Sequence, residues 1–333
     1  MIGISSARGS AVGVAVPLLV FACGICAYAS LATGGRIDVA VWDLFRESGT
    51  GTSVMRDIRT PRTLVALCVG VNLGLAGLIL QAVTRNPLAS PAILGINQGA
   101  ALGLTLGLVI PSLTSVLGLK AMSISGAFLA GLVSFTIAGG LRGRLDGLRL
   151  VLGGVAVGAF SYAMVRFAFT LEDDIARQVL RWTIGNITDV RMAAVREIAG
   201  WSVAGFLATM LLAHRLNLMA LGEAQATGLG ADPRITLLGG AIIAACLTGT
   251  AVAVAGPIAF VGLVVPHICR LIFGADHRVL VPATALLGAA LMMAADAASK
   301  WLTAPIEIPV GVVVAMIGAP YFLYQTLFAR GLD

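Results

Sequence analysis

Charge is what this sequence has least of. Only 11% of its 333 residues are Asp, Glu, Lys or Arg, where an ordinary soluble domain carries roughly 25%. Lysine is confined to Lys120 and Lys300, so no G-x-x-x-x-G-K-[ST] phosphate loop can be built and the chain does not itself hydrolyse ATP. H-E-x-x-H and G-x-S-x-G are also absent, and His214, His267 and His277 stand at the ends of expected helices. There they read as capping or interfacial residues rather than metal or haem ligands. Cys23, Cys26, Cys68, Cys246 and Cys269 all fall in apolar stretches and read as small buried hydrophobes. Cys23-x-x-Cys26 lacks the second Cys or His pair of a zinc site. The net charge of +6 is scattered over loops, which gives no case for nucleic acid. No Ser- or Pro-rich linker or low-complexity tract divides the chain, so residues 1–333 read as one unit.

Apolar residues fill the space that charge leaves. Hydrophobic types make up 58% and the mean hydropathy is +0.97, which places the protein in a membrane. A hydrocarbon core of ~30 Å takes ~20 residues per helix. On that ruler ten stretches qualify: 11–33, 63–84, 91–109, 121–141, 149–170, 192–213, 235–254, 257–273, 279–302 and 308–329. The third and eighth look short or broken. Period-two alternation is missing, which excludes an outer-membrane barrel, and the first stretch reads as a retained helix rather than a signal peptide. Basic residues divide evenly between the two sides, so charge alone does not orient the bundle.

The uncharged run from Asn86 to Leu119 is interrupted by Pro87, Pro91, Gly95 and Gly99. Irregular backbone at membrane depth survives only against other helices or a polar cavity, and transporters place discontinuous helices there. NPLASPAILG after the second stretch has a counterpart in GPIAFVGLVV after the seventh, suggesting two inverted halves of five helices. Small residues four apart, such as Gly70 and Gly74, Gly99 and Gly103, or Gly154 and Gly158, suit close helix packing or the lining of a conduit. Gln81, Asn97 and Gln98 suit either a wet pathway or interhelical hydrogen bonds.

Charges within the stretches are few. Arg166 is about a turn from a helix end and can snorkel, while Asp296 and Lys300 are spaced to pair. No carboxylate is expected at the midplane, so the driving force comes from elsewhere than an ion gradient. Outside the stretches, 34–62 is a polar connection with Asp38, Asp43, Glu47 and Asp57. Residues 171–191 suggest an interfacial helix with Trp182 at headgroup level. Residues 214–234 are expected to form two short surface helices split by Gly222, Gly228 and Gly230. With one acid, Glu223, they suit a groove on a soluble partner.

Five ordered blocks carry a family resemblance: RTPRTL from Arg59, LQAVTRNPLASPAILGINQGAALG from Leu80, LNLMALGEAQATGLG from Leu216, GPIAFVGLVVPHICRLIFGADHR from Gly256 and IEIPVGVVVAMIGAPYF from Ile306. The chain resembles the iron-chelate and cobalamin permeases of type II ABC importers, and the NPLASPAILGIN wording resembles the ferric-citrate members. The resemblance implies an all-α polytopic bundle of about ten helices in the bacterial inner membrane with both termini cytoplasmic. It also implies a second permease subunit, identical or related, and a periplasmic substrate-binding protein. Two ATP-binding subunits would hold the ATP and Mg, no cofactor residing in this chain. By the same resemblance Leu221, Gly222, Glu223, Ala226 and Gly230 form the ATPase-coupling motif. Arg59 and Arg62 would receive carboxylates of the binding protein, with Lys300 standing where a third basic residue is usual; interfacial anchoring is the alternative for the two arginines. Asn86, Pro87 and Leu88 match the loop that narrows the pathway on the cytoplasmic side. The implied function is import of an iron(III) chelate, with haem or cobalamin as alternative cargo and an ion-coupled secondary carrier as the reading of another class.

Overall fold

The computed structural model describes residues 3–34, 39–46, 48–142, 146–171, 173–304 and 306–328. Asp38 and Glu47 of the polar connection, and Glu172 before the interfacial helix, lie outside the described residues. Every regular element among those described is helical. In chain order they are α1 (Gly3–Ala32), α2 (Thr50–Val54), α3 (Thr60–Thr84), α4 (Ile96–Val109), α5 (Pro111–Leu117), α6 (Leu119–Ile137) and α7 (Gly147–Ala168), then α8 (Asp173–Thr183), α9 (Met192–Ala220), α10 (Glu223–Gly228), α11 (Pro233–Ala255), α12 (Val261–Phe273), α13 (His277–Trp301) and α14 (Val310–Phe328).

Among the described residues seven helices are long and apolar enough to cross a bilayer, with α2 and α3 counted as one continuous helix. The pair α4 and α5 is bent by 110°, and α12 and α14 are shorter apolar helices. One such element falls on each of the ten stretches read from the sequence. The third starts later than expected, at Ile96, because residues 91–95 coil as turns that end at Gly95 with φ 72°. Pro111 sets the bend. Proline pushes the residue before it out of helical space, Ile110 sits at φ −120° and ψ 83°, and α5 restarts with the proline in its first turn.

The α3 helix is the axis of the bundle, packed by α9, α11, α12 and α13. Its apolar window is 83% buried, against 6% for α1 on the outside. Glycine permits the approach: a Cβ on Gly70 would lie 2.1 Å from the carbonyl oxygen of Gly288 on α13, and one on Gly99 would lie 2.2 Å from the Ala130 Cβ on α6. These small-residue faces are packing faces, the first of the two readings above. Gly99 therefore does not break α4. Asn72, fully buried in the middle of α3, donates to Thr250 Oγ1 on α11 at 3.3 Å.

Candidate functional site

The two interrupted stretches have the same grammar. In the first, α3 ends on Arg85 in the left-handed region (φ 49°) and α4 starts after Gly95 (φ 72°). In the second, α11 ends on Gly256 (φ 72°) and α12 starts after Phe260 (φ 68°). Positive φ at arginine or phenylalanine is strained, and here such residues close and open the helices on either side of a break. The first break packs on the start of α12, where a Cβ on Gly262 would lie 3.1 Å from Pro91 Cδ.

Within the first break, Asn86 builds the turn, its Oδ1 accepting from Leu88 N at 2.9 Å and its carbonyl from Ala89 N at 3.1 Å. Pro87 and Leu88 are exposed at the tip. Gln81 departs from the pathway expectation: it is buried, its amide donates to the Gly262 and Leu263 carbonyls at 3.1 and 3.3 Å, and its Oε1 accepts from Arg270 Nη2. With both amide atoms engaged by α12, Gln81 clamps α3 to that helix. Asn97 and Gln98 do line a cavity of about 340 Å³ together with Tyr162 and Arg166 of α7, Thr183 of α8, and Pro257 and Ala259 of the second break. Arg166 faces this cavity, its guanidinium 5.9 Å from the Tyr162 ring centroid and 5.8 Å from that of Phe169.

The expected coupling segment is one short helix, not two. No helix breaker occurs from His214 to Leu221, so α9 runs on to Ala220 and His214 lies inside it. Gly222 (φ 112°) and Gly230 (φ 83°) turn the chain on either side of α10, and Asp232 caps α11 by accepting from Arg234 N at 2.8 Å. Leu221 and Leu229 are 53% and 62% exposed. Ala226, by contrast, is 0% exposed, so it anchors the turn from beneath and offers no contact surface. The backbone of Glu223 opens α10, and its side chain lies outside the described part of the structure. Beside this turn, Asn217 Nδ2 donates to Asp276 Oδ1 at 2.6 Å and Asn217 Oδ1 accepts from His277 N at 2.8 Å, tying α9 to the start of α13. Nothing in the sequence pairs residues so far apart. The amides of Arg278 and Asn217 hold the Asp276 carboxyl below its ordinary range.

At the opposite end, Arg59, Arg62 and Lys300 are only 4%, 2% and 3% exposed, which corrects their expected role as outward docking cations. Arg62 engages Asp296 and Glu307 and donates to Ser299 Oγ at 3.1 Å. Lys300 engages the other Asp296 oxygen and donates to the Ser30 carbonyl at 2.9 Å. Arg59 donates to the carbonyls of Leu31, Ala32 and Val39 at 3.0 to 3.2 Å. The expected Asp296 and Lys300 pair is present, but as part of a buried clasp joining α1, α3 and α13, and an outside carboxylate would have to displace Glu307 or Asp296 to reach it. Neither is Arg59 or Arg62 an interfacial anchor, since anchors point to water.

No three His, Cys, Asp or Glu side chains among the described residues come together as a metal site. His267 lies within α12, near Tyr321, and not at a helix end. The helical order, the paired breaks and the turn between α9 and α11 can be compared with known proteins. Residues 18–328 match the FecCD transport family. The chain belongs to that family. Similar proteins include the iron(3+)-hydroxamate import system permease protein FhuB of Bacillus subtilis (strain 168), 35% identical over 94% of this chain and 83% of that one. The Fe(3+) dicitrate transport system permease protein FecC of Escherichia coli (strain K12) is 37% identical over 82% of each chain. A solved metal-chelate type ABC transporter in an inward-facing conformation matches with a TM-score of 0.81 and 29% identity, covering 94% of this chain and 97% of that one. FecCD proteins are membrane transport subunits, and so is this one: a multi-pass permease, with ATPase activity residing in separate partner subunits.

Proposed function

We propose that this permease belongs to an ABC importer of metal chelates and carries iron(III) chelates, of the siderophore or ferric-citrate kind, inward across the bacterial cytoplasmic membrane. The reading rests first on the FecCD match over residues 18–328, with similar proteins whose names specify iron-hydroxamate and iron-citrate import. Both termini and the turn from 214 to 234 face the cytoplasm. There two ATP-binding subunits, carrying ATP and Mg, seat on Leu221, Leu229 and the α10 backbone, while a second permease copy or relative completes the pathway and a periplasmic binding protein delivers the cargo. ATP binding moves the α10 turn, the α9 and α13 tie carries the shift into the bundle, and the breaks at Asn86 and Gly256 are the points at which the path opens and closes. Haem or cobalamin is the second reading, because similar permeases are named for hemin and cobalamin.

Co-purified permease, ATPase and binding protein in proteoliposomes test this directly. ATP-dependent accumulation of an iron(III) chelate, abolished by omitting the binding protein, is expected. Uptake by the permease alone under an ion gradient would overturn the importer in favour of a secondary carrier.

A further inference from the structure

We infer that the cavity between the start of α4 and the second break is a passage site for a chelate of net negative charge, with Arg166 as its cationic contact. This deepens the importer reading above and rests on it. The cavity draws Asn97 and Gln98 from just after the first break and Pro257 and Ala259 from the second, the place at which discontinuous helices form transport sites. Arg166 is the one charged side chain in its lining. It is exposed, and among the described residues it has no ion-pair partner. An unpaired cation on a spanning helix belongs in a water-filled cavity or at the interface.

The guanidinium lies between the ring of Tyr162, one turn back, and that of Phe169 at the C-terminal end of α7. Ring faces hold the cation without using its N–H donors, which stay available for the paired oxygens of a carboxylate. Gln98 Oε1 is buried without a partner, an acceptor for a hydroxyl or a water on the cargo. Across α8 a second cavity, of about 680 Å³, is lined by Lys120, Arg181 and Arg191 with Asp189 as its one acid. Lys120 is paired with Glu197 at 2.5 Å, but Arg181 and Arg191 still outnumber Asp189, so both cavities flanking α8 carry a net positive charge that favours anions.

Two experiments test the site. In the first, Thr183→Cys in the full chain is labelled with a negatively and a positively charged thiosulfonate of similar size, with the wild-type chain as background for the native cysteines. Arg166→Gln is expected to lower the ratio of anionic to cationic labelling by about threefold or more, and Arg166→Lys to restore it. An unchanged ratio, or equal loss in both variants, overturns the anionic site whatever the protein carries. In the second, the complete transporter in proteoliposomes is given ferric citrate, an anionic polycarboxylate chelate, and a neutral iron(III) trihydroxamate. Arg166→Gln should cut ferric citrate uptake about tenfold, and Arg166→Lys should restore most of it. Uptake of the neutral chelate alone would overturn the cargo class. If the labelling ratio responds while no iron chelate is carried, the anionic site stands and the importer reading fails.

Discussion

The clasp at one end of the bundle and the coupling turn at the other are opposites. Arg62, Lys300, Asp296 and Ser30 are closed on one another and, like Arg59 on its backbone carbonyls, almost wholly buried, whereas Leu221 and Leu229 stand more than half exposed around α10. Charge, which on a soluble protein marks the contact surface, is consumed here by the fold. Exposed apolar side chains mark the surface left for a partner. In a chain with so few charges, an arginine near a span is an expensive group that the structure satisfies first, because an unpaired buried ion costs several kcal/mol.

The sharpest break of this contrast is Asp296→Ala. It leaves Lys300 in a buried site without an acid and Arg62 with Glu307 alone, and a loss of about 3–5 kcal/mol is expected, read as a large drop in the unfolding midpoint of the detergent-solubilised protein. A midpoint near wild type would mean that the clasp is wet and open. At the turn, Leu221→Asp combined with Leu229→Asp should leave that midpoint unchanged and lower ATP-driven uptake about tenfold, an effect of about 1.4 kcal/mol on partner seating. Glu223→Lys is expected to uncouple ATP hydrolysis from uptake, and wild-type uptake in that variant would remove the acid from the docking surface.

Two smaller changes refine the comparison. Glu307 is the clasp member nearest water, its side chain 29% exposed, so Glu307→Gln should cost about 1 kcal/mol. It should also leave binding-protein affinity unaltered; a rise in affinity on surface plasmon resonance would show that Arg62 had been released to an outside carboxylate. Asp276→Ala removes a helix cap worth about 1 kcal/mol together with the Asn217 tie. The folded carboxyl of Asp276 sits below its unfolded value. Its contribution is therefore complete above the unfolded pKa of about 3.9 and is lost as pH falls through the lower folded value. Below pH 4 the wild-type and variant midpoints should converge.

Much of this was legible in the residues. Each spanning element came from a run of apolar residues of the right length, and both breaks from Gly and Pro placed where lipid tolerates none without cover. Asn97 and Gln98 stand beside a cavity, because uncharged amides in an apolar helix need water or a partner. Gln81 was equally amide and equally intrahelical, yet it went to the α12 carbonyls, a choice made by which face of α3 meets α12. Ala226 belonged to the coupling motif by resemblance and turned out to be its buried anchor. Arg62 and Asp296 are too far apart in sequence for any local pattern to pair them.

The sequence by itself determined that this is a membrane bundle with broken helices, a single candidate coupling turn and no ATPase motif, since apolar run length, Gly and Pro act on the backbone locally. Only the tertiary structure decided which polar groups were spent. Burial is a property of neighbours, and the neighbours of Arg59, Arg62 and Lys300 arrive from α1, α13 and the loop before α14. The same folding left Arg166 without a carboxylate among the described residues, facing a cavity lined by the start of α4 and the second break.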